Sequence, residues 1–331
     1  MTPAEQTWRR VLKPLLKLAV VLLLGWFMSG TLRQGIAQIE QEQVTLRPGW
    51  LILSGVLYLA GQLPSGMYWH RVLRRLGQEV GWGPTLRAYF IGHLGKYVPG
   101  KALVIVLRTA LIRGAHVDTA VAAVSVFIET LTTMAVGAAL AAGILAIKFA
   151  ENRQLLLFSM GLFLAAGVPT LPPVFRFVIR CLRVGRANPL VVQRLDRLDY
   201  RTLLSGWVGI TAGWVVMGGA LWATLRGMDL AVPFWENLPL LVASVALAIV
   251  AGFASLIPGG AIVRELVLTE LLTQVLAELP GMESAHAKGH ALLSAVVLRL
   301  VTLVAELGIS GILYGTHWVQ RPLAADRRPP V

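Results

Sequence analysis

The sequence predicts an all-α polytopic membrane protein, with six transmembrane helices and two further apolar segments interrupted by Pro-Gly breaks. Three observations carry this. The 331 residues are 56% hydrophobic and only 14% charged, with a mean hydropathy of +0.68, far from the composition of a soluble domain. Apolar runs of about 20 residues, the length that crosses a ~30 Å hydrocarbon core, recur along the chain. Lys and Arg exceed Asp and Glu by 30 to 17, yet they flank the apolar runs instead of coating a surface. Cytoplasmic loops and anionic headgroups explain that placement, and nucleic acid does not.

The first span, 11–32, lies in WRRVLKPLLKLAVVLLLGWFMSG, which has the basic start and apolar run of a signal peptide. It lacks an A-x-A cleavage site and runs into SGTLRQG, so it reads as an uncleaved span. Further spans follow at 50–69, 118–148, 154–178, 202–225 and 289–315. Orientation follows from the basic residues. Arg9, Arg10, Lys13 and Lys17 precede the first span, and Arg71, Arg74 and Arg75 follow the second. Seven arginines crowd the loop from Arg176 to Arg201, and Arg321, Arg327 and Arg328 follow the last span. The positive-inside rule makes all four segments cytoplasmic, with both termini inside and 316–331 a cytoplasmic tail. The arginine-rich loop reads as a topology anchor on an anionic leaflet, or else as a docking site for a lipid-modifying enzyme.

The two broken segments are 84–113, interrupted at Pro99-Gly100, and 237–279, interrupted at Pro258-Gly259-Gly260. Proline cannot continue the helical ladder and glycine tolerates the turn. The first segment begins and ends on the cytoplasmic side, which makes it a re-entrant hairpin. The second begins and ends outside, either as a hairpin or as two full spans, because its first arm is long enough to cross. With two hairpins, the order span, span, hairpin, span in 1–150 repeats upside down in 151–315, an inverted repeat within one membrane domain of residues 1–331.

Charge inside these apolar stretches needs a reason. A charged side chain at the bilayer centre costs roughly 2.5–3.5 kcal/mol on insertion scales and persists only where it is paired or lines a cavity. GKYVPGKALVIVLR carries Lys96, Lys101 and Arg108, and Glu129 lies within AVSVFIETLTTMAVG. Arg264 and Glu265 follow IPGGAIV, while Arg299 and Glu306 are two helical turns apart on one face. Helix ends at the breaks would point N–H groups at the same place, a ready phosphate site. The bland alternatives are lysines that snorkel to the headgroup layer and ion pairs that only lock the bundle.

These residues also resemble a known family. GKYVPGK with Arg108, Glu129 in the next span, and IPGGAIVREL are similar to the lysylphosphatidylglycerol synthase transmembrane-region family over about residues 10–315. The resemblance implies a membrane region that moves aminoacylated phosphatidylglycerol between leaflets, with standalone relatives that handle glycolipids or hopanoids. It assigns Tyr97, Pro99, Gly100, Lys101, Arg108 and Glu129 to a first motif region. Pro258, Gly259, Gly260, Arg264, Glu265 and Arg299 belong to the second. Two departures matter. No aminoacyl-transferase segment follows the last span, so lysyl transfer is not expected. Ala261-Ile262 stands where Leu-Gly is expected after PGG, which removes a flexible position.

Weaker signals are set aside. Cys181 is the single cysteine and supports neither a disulfide nor a thiolate cluster. Glu283, His286 and His290 have a helical spacing but lie in a polar loop, so no metal is expected. His93 reads as a headgroup-level histidine. Gly209 and Gly213 read as close helix packing within the monomer. There is no P-loop, dinucleotide fingerprint or nucleophile motif, so neither a cofactor nor enzyme activity is expected.

The expectation is a flippase-like protein of the cell inner membrane that binds an anionic or phosphate-bearing lipid in a midplane cavity. Its headgroup ligands are Lys96, Tyr97, Lys101, Arg108, Arg264 and Arg299. Glu129, Glu265 and Glu306 balance their charge, and Pro99, Gly100, Pro258, Gly259 and Gly260 form the helix breaks. Membrane lipids are the expected partners, with a lipid-modifying enzyme as a further one and nucleic acid excluded. The rival from another class is a non-catalytic scaffold for a lipid or polysaccharide synthesis system.

Overall fold

A computed structural model describes residues 33, 45–98, 102–114, 117–148, 153–171, 173–174, 177, 193–195, 197–257, 260, 262–280 and 282–319. The first span and the tail beyond 319 lie outside these residues, as does most of the arginine-rich loop. Every regular element described is helical: α1 Pro48–Arg75, α2 Trp82–His93, α3 Ala102–Leu111, α4 Thr119–Lys148, α5 Arg153–Gly167, α6 Tyr200–Gly227, α7 Phe234–Ala254, α8 Val263–Ala277 and α9 Ser284–Val319, with short 3-10 turns at Leu94–Tyr97 and Val168–Thr170.

Local sequence sets the helix ends. Pro48 starts α1, where its missing N–H is no loss, and Arg74 and Arg75 close it against the helix dipole. Asp118 caps α4 by accepting from the Ala120 and Val121 N–H groups at 2.9 Å, and Asp199 caps α6 by accepting from Thr202 N–H at 2.9 Å. α8 begins differently. Ile262, the residue before it, has φ 70° and ψ −57°, a left-handed conformation that suits glycine and strains a β-branched side chain.

Four of the described helices are long and apolar enough to cross a membrane: α4, α6, α7 and the stretch His286–Thr316 of α9. This makes the chain a multi-pass membrane protein; of the six spans read from the sequence, the first lies outside the described residues, and 50–69 and 154–178 form helices that are not among these four. The run 50–69 does form one long helix, α1, but Ser54, Gln62, Ser65 and His70 interrupt its apolar face and are carried inward, where all four are buried. The run 154–178 forms the 15-residue α5, about 22 Å long at 1.5 Å per residue, and then a 3-10 turn containing Pro169. Pro169 lacks the N–H that the next helical turn needs.

Small residues let the helices approach closely, as they must where lipid supplies no hydrophobic drive between them. The α1–α6 seam pairs Ser54 with Ala220, Gly61 with Gly213 and Tyr68 with Gly206. Each step is seven residues forward in α1 and seven back in α6, so the two helices run antiparallel in a heptad register. A methyl group on Gly213 would stand 2.4 Å from the Gly61 carbonyl oxygen.

The first broken segment folds back on itself. A methyl on Gly92 would meet Arg108 Cγ at 2.4 Å, and one on Gly95 would meet Val104 N at 2.6 Å, so 92 lies opposite 108 and 95 opposite 104. Its arms of 12 and 10 residues, about 18 and 15 Å, are too short to cross. In the second segment α7 has 21 residues, enough to cross, whereas α8 has 15 and falls short. Gly252 and Gly260 meet at this junction, where a methyl added to either would stand 3.2 or 2.9 Å from the other's Cα, and Gly260 takes φ 68°. The main core gathers α1, α4, α6, α7, α8 and α9 around Trp214, Leu221, Leu247 and Leu272, while a second cluster of Trp69, Leu73, Tyr89 and Val126 supports the hairpin.

Candidate functional site

Both broken segments border one cavity of about 400 Å³, whose remaining wall comes from α1, α4 and α6. Its polar lining includes Tyr58, Gln62, His93, Lys96, Arg108, Glu129 and Arg264. Its apolar lining includes Leu131, Met134, Trp214, Met217 and Ile249. Phe127 and Leu256 also line it and are 50% and 68% exposed on the outside of the bundle, so part of the wall reaches the apolar flank of the protein.

The first polar group centres on Glu306, which α9 places at 3% exposure. Lys96 Nζ donates to its Oε1 at 2.5 Å, Tyr97 OH donates to its Oε2 at 3.0 Å, and Tyr58 OH donates to Oε1 over a short contact. His93 Nε2 lies 3.7 Å from the same oxygen. Lys96 also donates to Tyr58 OH at 3.3 Å and sits 5.1 Å from the Tyr97 ring centre, a cation–π distance.

The second group is Arg108 with Glu129. Their 2.6 Å ion pair joins α3 to α4 with side chains 2% and 3% exposed. Thr133 and Thr130 hydroxyls donate to the carboxylate at 3.2 and 3.3 Å. The Arg108 guanidinium lies 4.2 Å over the Tyr89 ring and 5.3 Å from that of Trp69. Gln62 bridges the groups: its Nε2 donates to Tyr58 OH at 2.9 Å, its Oε1 accepts from Tyr89 OH at 3.1 Å, and His93 Nε2 is 3.4 Å away. His93 Nδ1 in turn lies 3.5 Å from an Arg108 nitrogen. The histidine thus stands between the two ion pairs on the cavity wall. The hairpin is what turns it inward.

The third pair, Arg299 with Glu265 at 2.5 Å, joins α9 to α8 and does not line the cavity. Arg299 and Glu306 share a helix face but turn to different partners: Lys96, in the Leu94–Tyr97 turn, pairs with Glu306 and Glu265 with Arg299. Arg264 differs from all of these. It is half-buried on the cavity wall at the start of α8, and among the described residues none forms a hydrogen bond or ion pair with its guanidinium. It lines the same cavity as Tyr58, His93 and Lys96 of the Glu306 group.

Of the residues singled out in the sequence, the structure therefore brings Lys96, Tyr97, Arg108, Glu129, Arg264 and Glu306 to one place and sets Arg299 and Glu265 beside it. Pro99, Gly100, Lys101, Pro258 and Gly259 lie outside the described residues, and Gly260 lines the cavity. Tyr58, Gln62 and Tyr89 were missed. The signal for the first two was available: a tyrosine and a glutamine four apart inside an apolar run share a helix face, and buried polar side chains need partners.

A model of the family described as Lysylphosphatidylglycerol synthase TM region matches residues 15–308. No curated protein matches the chain.

Proposed function

Because the chain belongs to the lysylphosphatidylglycerol synthase TM-region family, we propose that it is a flippase-like lipid transporter that takes an anionic lipid headgroup into the cavity between its two broken segments. The observation that carries this is the cavity itself: cations on one part of the wall, and apolar side chains leading to the outer flank on another. That combination suits a headgroup inside and acyl chains outside. No covalent step is needed. The headgroup's hydration is replaced by the cavity's donors, Glu129 and Glu306 hold the remaining cations when the site is empty, and the breaks let the two halves move against each other.

Several contacts support an inverted repeat as the basis of that motion. Arg47 N–H, just before α1, donates to Gly227 O at the end of α6 at 2.8 Å. Reciprocally, the Arg194 guanidinium, just before α6, donates to Gly77 O after α1 at 3.4 Å. The α2 arm packs on α9 while α7 packs on α4, an exchange of partners between halves. The pairs Arg108–Glu129 and Glu265–Arg299 occupy the corresponding α3–α4 and α8–α9 junctions with the signs reversed. In this reading the protein sits in the cell inner membrane with both termini cytoplasmic.

One observation favours the scaffold alternative: Arg108 and Glu129 are almost wholly buried and paired with each other, as a purely structural pair would be. Native mass spectrometry with lipidomics on gently purified protein separates the two. A transporter retains one lipid class well beyond its share of the membrane. Indiscriminate bulk lipid points to the scaffold.

A further inference from the structure

The helices of the two halves pack by one plan, and a single helix lacks its counterpart contact. With α1 matched to α6, α2 to α7, α3 to α8 and α4 to α9, the principal helix pairs recur. The pair α3–α4 corresponds to α8–α9, α1–α2 to α6–α7, α2–α3 to α7–α8, α1–α9 to α6–α4 and α2–α9 to α7–α4. The α1–α6 seam is its own counterpart. What lacks a match among the described residues is α5, which packs along α4. By the same exchange an apolar helix belongs along α9.

α9 has an open face for it. Val304, Gly308, Gly311 and Gly315 recur at i, i+4, i+7 and i+11, which places them on one stripe of the helix. All four are exposed, and a methyl added to any of the three glycines would have nothing within 4 Å among the described residues. In the α1–α6 seam, by contrast, a methyl on Gly61, Gly206 or Gly213 would stand less than 3 Å from the partner helix. Glycine weakens a helix that faces lipid alone, and small residues four apart are what let a second helix come close.

We propose that this face of α9 seats the chain's own first apolar run, residues 11–32, antiparallel to α9. The run lies outside the described residues, and its sequence suits the seat: Leu15, Leu18 and Leu22 share the i, i+3, i+7 spacing and bring bulk to a glycine channel. The connection reaches. Residues 33–47 join the run to α1 and can span up to about 50 Å when extended. α9 already lies against α1, where a methyl on Gly55 would meet Ala305 and Val301 at 3.4 and 3.6 Å. The inference rests on the inverted repeat described above and not on the lipid.

Disulfide scanning tests it. The full chain with Cys181→Ser carries Gly311→Cys and a second cysteine at each position from 15 to 26 in turn, and is oxidised in native membranes. Disulfides should form within one chain at positions three to four residues apart, on one face of the run, and fail at those between. Gly55→Cys with Ala305→Cys is the positive control, since a Cβ at 55 would lie 3.4 Å from that of Ala305. Gly311→Leu alone should lower the thermal midpoint by several degrees, because its side chain fills the seat. On a face that meets only lipid, leucine should instead raise the midpoint as the better helix former. Cross-links found only between two chains would assign the face to a second copy. No cross-link at any position while the control reacts, or a raised midpoint, would assign it to lipid. Either result overturns the inference. Lipid retention plays no part in these readouts, so the transporter reading stands or falls separately.

Discussion

Arg108 and Glu129 meet at 2.6 Å across the α3–α4 junction with almost no exposure, and the rings of Tyr89 and Trp69 close over the guanidinium. A buried pair of this kind is expensive to break and cheap to replace. Arg108→Ala should lower stability by about 3–5 kcal/mol, because Glu129 is left charged and uncompensated. The double variant Arg108→Met, Glu129→Met should recover most of that loss. Thermal unfolding in detergent measures both, and a double variant as unstable as the single one would show that the pair does more than cancel itself.

Glu306 holds Lys96 in check. Glu306→Gln keeps a hydrogen-bond acceptor for the tyrosines but removes the charge, so Lys96 is released and the cavity gains an uncompensated cation. Retention should then shift from phosphatidylglycerol toward phosphatidic acid, a phosphomonoester that can carry more negative charge, by several-fold in a lipid competition. Unchanged selectivity would mean that Glu306 does not set the charge of the cavity.

Ile262 carries strain at the position where a glycine is expected from the family resemblance. Its φ of 70° costs about 1–3 kcal/mol for a non-glycine residue, and its side chain is 67% exposed, so little packing is lost on removing it. Ile262→Gly should therefore raise stability by about 1 kcal/mol after the entropic cost of glycine, read as a higher thermal midpoint. Ile262→Ala should gain less. A lower midpoint for the glycine variant would contradict a strained start to α8.

The α1–α6 seam contains its own control. Gly213→Ala puts a methyl 2.4 Å from a backbone oxygen, whereas the nearest atom to a methyl on Gly209 is Pro64 Cβ at 3.9 Å. The first substitution should cost about 1–3 kcal/mol by overpacking and the second should be neutral or better. Equal effects in thermal unfolding would place the crossing elsewhere.

Asp199 offers a pH readout away from the membrane interior. The Thr202 hydroxyl, and then the Thr202 N–H, hold its carboxyl below the usual carboxylate range. Since the folded value is the lower one, the cap's contribution is complete above the ordinary carboxylate value near 4 and fades as pH falls through the folded value. The midpoint of wild type should drop faster than that of Asp199→Asn on acidification, because asparagine caps without titrating.

Much of this site was legible before the fold was known. An arginine or glutamate in an apolar run cannot be ignored by lipid, so Arg108, Glu129, Arg264 and Glu306 announced a polar interior, and Pro-Gly breaks marked where helices end. What the sequence could not show was pairing. Arg299 and Glu306 look like natural partners at seven residues apart, yet each finds a closer ion on another element, because helix packing brings α8 and the Leu94–Tyr97 turn against α9. Tyr58 and Gln62 carried a weaker signal: uncharged and set in an apolar run, they read as part of an ordinary span unless their shared helix face is noticed. The run 154–178 forms the shorter α5 and a 3-10 turn at Pro169, a feature that hydropathy does not register.

The most direct measurement is lipid movement between leaflets. Purified protein reconstituted into liposomes with fluorescent phosphatidylglycerol or phosphatidylcholine in the inner leaflet is followed by chemical quenching from outside. Wild type should speed the appearance of phosphatidylglycerol outside relative to protein-free liposomes, with phosphatidylcholine lagging, and Arg264→Gln should bring the two rates together. Rates equal to those of protein-free liposomes for both lipids would contradict a transporter and leave a membrane scaffold whose buried charges hold only the bundle.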